Sequence, residues 1–282
     1  MYNKIRHKKA DYSLLSFRWM SMIGAVMIAS MLSACSLGTD QKSLCDLKVL
    51  SLLIPKQTEQ VMASGSIETI KALENSQTKL KDALAVIQKD YSNDKEANQI
   101  LQDGQEISAN IDILVKNSKQ INHLYDLRIA TMDVIPGIQA EYNLMVDQMA
   151  RDNYPSTQVV VAKNQVFIAE RILRSLTNMM ENDEFSRSSM EDFEADLETF
   201  NAYLKAQLEG NAELGVNKIT AKELRDSLLA IQQDTDEVLK AATIDLQKNR
   251  DSLMRVFLAS QDNISKSEDL FTRINRLEMN SH

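Results

Sequence analysis

LMRVFLASQDNISKSEDLFTRI, residues 253–274, is the stretch that decides the fold. Leu253, Phe257, Ser260, Ile264, Ser267, Phe271 and Ile274 recur at intervals of 4, 3, 4, 3, 4 and 3. That spacing lays a seam along one face of an α-helix. Every second layer is serine, small enough to let a neighbouring helix approach closely. A second seam, Val166-Ala169-Leu173-Leu176-Met180, steps by 3, 4, 3 and 4. Both read as the core face of a helical bundle. Composition agrees. The 282 residues include 7 Gly and 3 Pro, too few turn formers for a β-rich chain of this length.

Punctuation residues divide the chain into long helices. Gly65-Ser66 separates a helix over about 42–63 from one over about 67–89, and Ser92-Asn93-Asp94 opens a third. Pro136-Gly137 interrupts the next apolar stretch as a kink or a short loop, because the residue before a proline resists the α region. Asn153-Tyr154-Pro155-Ser156 is the clearest mid-chain break, with Ser156 placed to cap the following helix. Asn182-Asp183-Glu184 closes that helix, and the next, about 188–208, stops at Gly210. Thr220-Ala221-Lys222-Glu223 matches a capping box. A weak internal repeat aligns Lys48–Lys56 with Val166–Arg174 at an offset of 118 residues. These signs predict an all-α fold of two stacked four-helix-bundle modules, 41–155 and 156–282, forming an elongated rod behind an N-terminal membrane anchor, 1–40.

No charged residue occurs between Trp19 and Thr39, while Lys4, Arg6, Lys8, Lys9 and Arg18 precede that stretch. Residues 1–18 are therefore expected in the cytoplasm and the body outside, in the periplasm of a bacterial envelope. Two readings of the segment stand open. Trp19–Leu37 is long enough for a transmembrane helix held in the inner membrane. Alternatively, Leu32-Ser33-Ala34-Cys35 resembles a lipobox, which would make Cys35 a lipidation site after cleavage of a signal peptide. Beyond residue 34 the chain holds 27 basic against 39 acidic side chains, a net of −12. Such a body repels nucleic acid, so none is expected as a partner.

Asp133–Tyr142, Val159–Gln165 and its continuation Ile168–Leu176, together with Leu208–Ala212 and Val216–Thr220, resemble the PilJ family of type IV pilus chemosensory transducers. The likeness extends over about residues 42–280. The family fold it implies is two stacked four-helix modules of the nitrate-sensor type. The implied function is sensory control of twitching motility, with pilin, a full-length pilus chemoreceptor or a second copy of the chain as partners. In the family, a second span, a HAMP linker and a signalling hairpin follow. The sequence stops at His282, so a sensor region without that half is expected. A stand-alone lipoprotein adaptor and a truncated transducer fragment are the alternatives. The sequence departs from the family at Leu52-Leu53 and Pro55, where the family has a polar, arginine-bearing stretch.

No Gly-x-Ser-x-Gly, His-Glu-x-x-His or Gly-rich phosphate loop occurs, so neither a catalytic site nor a cofactor or metal is expected. Glu170, Arg171 and Arg174 are the ligand or interface candidates, since arginine suits a bidentate hold on a small anion. A solvated Glu/Arg face beside the Ala169-Leu173 seam is the plainer account of them. Cys45 is read as a buried or idle thiol.

Overall fold

The computed structural model describes residues 39–181 and 187–280. Among them are eight α-helices: α1 Thr39–Ser64, α2 Ile67–Asp90, α3 Lys95–Lys116, α4 Ser118–Arg151, α5 Ser156–Glu181, α6 Arg187–Glu209, α7 Lys222–Asp234 and α8 Ala241–Asn280. A π-helical turn, Thr235–Lys240, joins α7 to α8. The fold is all-α among the described residues, with one isolated bridge between Asn211 and Val216. None of the described helices is long and apolar enough to cross a membrane. The anchor expected around Trp19–Leu37, and Cys35 within it, lie outside the described residues.

Local chemistry explains most helix ends. Ser66 Oγ accepts the Thr69 N–H at 3.3 Å, and Asp94 Oδ1 accepts that of Ala97 at 2.9 Å, each satisfying an orphan donor. Gly65, at φ +57°, turns α1 into α2 hard against α4. A Cβ there would lie 2.8 Å from the Asn122 backbone nitrogen, so only glycine fits. α4 closes with Asn153 left-handed at φ 54° and the Tyr154 N–H bonded to the Met149 carbonyl at 3.0 Å, a Schellman closure.

Two local expectations are corrected and one is narrowed. Of the two alternatives at Pro136-Gly137 the short loop is ruled out, since α4 continues through both as one helix of 34 residues. Ser156 is the first helical residue rather than the cap; the Pro155 carbonyl accepts from Gln158 and Val159. The cap of α7 is Ala221 with no side-chain bond, so Thr220 and Glu223 sit one place out of register for a capping box.

The 118-residue offset reappears in the helix bounds. It carries α1 onto 157–182, against α5 at 156–181, and α2 onto 185–208, against α6 at 187–209. The cores are divided otherwise. One core gathers α1, α2 and α3 with Ile121 in the first turn of α4 and, from α8, Val256 and the last turns, through Leu47, Ile54, Leu80, Ile107, Leu270 and Ile274. The other gathers α4, α5, α6, α7 and the first half of α8, through Tyr142, Ile172, Phe193, Phe200, Leu228 and Leu253. The cores are not divided near residue 155: beyond Ile121, α4 serves the second core, while α8, about 60 Å long at 1.5 Å per residue, serves both.

Both predicted seams are helical and inward-facing, but each is rotated. On α8 the buried line is Leu253, Val256, Ser260, Asn263, Ser267, Leu270, Ile274 and Leu277, with Ile264 and Phe271 half-buried at its edge. On α5 it is Ala162, Gln165, Ala169, Ile172, Leu176 and Met179, with Val166 and Leu173 at the edge. A polar residue, Asn263 or Gln165, takes a central place in each.

Candidate functional site

Two polar assemblies and one charged face stand out from the apolar cores. In the second core, Tyr142 of α4, Gln165 of α5 and Gln207 of α6 are shut off from solvent. The Tyr142 hydroxyl donates to Gln207 Oε1 at 3.0 Å and accepts from Gln165 Nε2 at 3.3 Å, which also donates to the Phe200 carbonyl at 2.9 Å. The Phe200 ring meets the Tyr142 ring edge-on, with centroids 6.0 Å apart. The cluster ties three helices at one level through these bonds, while Gln165 Oε1 and Gln207 Nε2 are buried without a hydrogen-bond partner.

Burial pushes the Tyr142 phenol well above the ordinary tyrosine value, against a small opposing pull from the Gln165 hydrogen bond. A raised folded-state value means that the neutral phenol stabilises the fold below the unfolded value near pH 10, and that this contribution is lost as pH rises further. Of the chain's 7 tyrosines, Tyr142 is therefore expected to ionise only as the second core opens. Absorbance titration checks this: the late-titrating tyrosine should vanish in Tyr142→Phe. A Tyr142→Phe profile identical to the parent's would contradict it.

In the first core, α3 and α8 face each other through charges. Arg273 Nε donates to Asp103 Oδ2 at 2.7 Å, and its Nη1 reaches Gln99 and, at 3.8 Å, Glu96. Lys266 bonds Glu106 at 2.6 Å and lies 3.7 Å from Asp103. Asn110 Nδ2 donates to Asp262 at 2.7 Å. Glu96, Gln99, Asp103, Glu106 and Asn110 step by 3, 4, 3 and 4, so one edge of α3 meets one edge of α8 along its length. The Lys266 ammonium lowers the Glu106 carboxyl below its usual range, and Glu106 in turn raises Lys266. Nothing in the two sequence seams announces this ladder. The acid spacing on α3 was its only local sign.

Glu170, Arg171 and Arg174 do not converge. Glu170 accepts from Gln139 of α4 at 3.2 Å. Arg171 turns the other way, gripping Asp196 of α6 through both Nε, at 3.1 Å, and Nη2. That bond holds the Arg171 guanidinium above its ordinary value, and it engages the fork an anion would need. Arg174 is exposed. Cys45 is half-buried and disulfide-bonded rather than idle; the chain's other cysteine, Cys35, lies outside the described residues. Among the described residues no group of three or more His, Cys, Asp or Glu side chains is placed to hold a metal.

The arrangement thus couples helices. No family model matches the chain. It is 26% identical over 234 residues, 80% of its length, to AlkN of Alcanivorax borkumensis, which is named for methyl-accepting chemotaxis. It is 27% identical over 246 residues, again 80% of its length, to PilJ of Pseudomonas aeruginosa. The chain spans about a third of each relative, 34% and 35%. The likeness to a PilJ-type chemotaxis transducer region, read first from the motifs, stands on these two comparisons.

Proposed function

We propose that the chain is the extracytoplasmic sensor or protein-interaction module of a type IV pilus chemosensory transducer, two stacked four-helix modules in a rod tethered to the bacterial envelope. The observation that carries this is the similarity to two transducers across most of the chain. The helix order supports it. Lys48 near the start of α1 pairs with Glu278 near the end of α8, so the chain enters and leaves the first core at one end. In the second core, the first turn of α5 meets the loop after α6, where Gln158 Nε2 donates to the Gly215 carbonyl at 3.1 Å. A rod entered and left at one end suits a module held at a membrane. The Cys45 disulfide suits an oxidising compartment.

Alkaline phosphatase fused after residue 280 is the test of placement, and deletion of the gene is the test of role. Active phosphatase and altered twitching are the expected results, with pilin or a pilus chemoreceptor recovered by mild crosslinking. Inactive phosphatase removes the extracytoplasmic placement. Unchanged twitching with monomer alone in the crosslinked fraction removes the sensory role.

The Leu32–Cys35 stretch favours a second reading, a lipoprotein adaptor on the same bundle. If Cys35 is acylated, palmitate labelling disappears in Cys35→Ser. Labelling equal in parent and variant leaves the transmembrane helix as the anchor.

A further inference from the structure

A small cleft lies between α4 and α8, close to where the two cores part. Gln120, His123, Asp245 and Asn249 form its polar wall, over a floor of leucines. Its volume is about 40 Å³. That is room for a single ion with a water, and too little for an organic ligand. Gln120 and His123 stand three residues apart on α4, and Asp245 and Asn249 four apart on α8, so each pair shares one helix face.

The polar groups of this cleft are acceptors. Gln120 Oε1 is buried without a hydrogen-bond donor. Asn249 spends its amide nitrogen on the Asp245 backbone carbonyl at 2.9 Å, which leaves its Oδ1. Asp245 makes no ion pair among the described residues, with His123 or with a base. Lys119, Lys248 and Arg250 are the nearest bases in sequence, and none of them lines the cleft. Arg250 is turned to Glu191 at 3.1 Å. An imidazole, a carboxylate and two amide oxygens thus gather with no fixed cation among them. His123 and Asp245 are exposed, so both can turn onto an ion at little cost in packing.

We propose that this cleft binds a first-row divalent transition metal ion, Zn²⁺ or one like it. His123 and Asp245 are its two strong ligands, and the Gln120 and Asn249 oxygens and water complete the shell. The imidazole favours such an ion over Mg²⁺ or Ca²⁺, which take oxygen alone. With two strong ligands the site is weaker than a closed four-ligand zinc site and exchanges its ion. A bound ion ties α4 to α8 beside the junction of the cores. Short motifs cannot show such a site, because its two halves come from helices distant in sequence. The inference does not rest on the pilus reading.

The test uses the full chain in zwitterionic nanodiscs, purified without a histidine tag and stripped with a chelator, with empty discs as blank. Zn²⁺ is titrated by calorimetry. One site is expected in the parent, weakened at least about tenfold in His123→Ala and in Asp245→Ala. Both variants should melt with the parent when metal is absent, and Zn²⁺ should raise the melting midpoint of the parent alone. His282→Ala should bind as the parent does. In the parent with Cu²⁺, electron paramagnetic resonance should show coupling to one imidazole nitrogen, lost in His123→Ala. No zinc heat in the parent overturns the proposal, as does full-strength binding by His123→Ala. Ca²⁺ binding as strong as that of Zn²⁺ overturns it equally.

Discussion

Phe200→Ala is expected to lower the stability of the second core by about 3–5 kcal/mol, the range for truncating a buried phenylalanine. Phe200 has no exposed surface and stands edge-on to Tyr142, itself fully buried. Truncation removes the ring and opens a cavity between α5, α6 and α4, whose walls are pinned by the Tyr142–Gln165–Gln207 bonds and cannot easily collapse. The backbone carbonyl that Gln165 uses survives in the variant, so the loss measures packing rather than hydrogen bonding. Chemical denaturation followed by circular dichroism gives the magnitude, and hydrogen exchange gives the place: amides of α4, α5 and α6 should lose protection before those of α1 and α2. A loss below about 1 kcal/mol would mean that the ring is not packed as described.

Asp103→Ala is the counterpart in the first core, with an expected loss of about 2–3 kcal/mol. Removing one member of a buried pair costs about 3–5 kcal/mol, because the remaining charge is left without its partner. Here the cost is smaller. Asp103 is 5% exposed, but Arg273 and Lys266 are about a quarter exposed and retain Glu96, Gln99 and Glu106 nearby. Asp103→Asn keeps the shape while deleting the charge, so it should share most of the loss. The parent's advantage over Asn should shrink at high salt, through the screened Lys266 contact first. Denaturation midpoints at low and high salt check both statements. A neutral Asp103→Ala would show that the α3–α8 contact rests on apolar packing alone.

The two variants strike different cores of one chain, and α8 connects them. Unfolding in which only one core responds to each variant would show independent modules. A single shared transition would show that α8 makes them one cooperative unit.

What was legible beforehand follows from how local each feature is. The helical class is written in the 3-4 spacing of apolar residues. The stops at Gly65 and Asn153 and the start at Asp94 are decided by backbone freedom and side-chain caps within a few residues. The 118-residue repeat survives in the helix bounds because it is a property of the chain, whatever the packing. Glu170 and Arg171 were visible as charged residues on α5, but their neighbours in sequence say nothing of Gln139 on one side and Asp196 on the other.

By itself, then, the sequence determined that this chain is a set of long amphipathic helices, roughly where each ends, and which transducers it resembles. The tertiary structure decided which edge of each stripe goes to the centre. Gln165 and Asn263 turn inward because other helices bring Phe200 and Thr58 to meet them, a gain that hydrophobic periodicity does not register. It decided that α4 joins the second core from Leu124 onward and that α8 runs through both, so the cores part inside helices, where no turn residue marks a boundary. It also placed Asp103 against Arg273 across 170 residues. Spacing along one helix reports only how that helix divides apolar from polar. Which neighbour satisfies a buried charge or amide depends on helices that are distant in sequence, and packing alone brings them together.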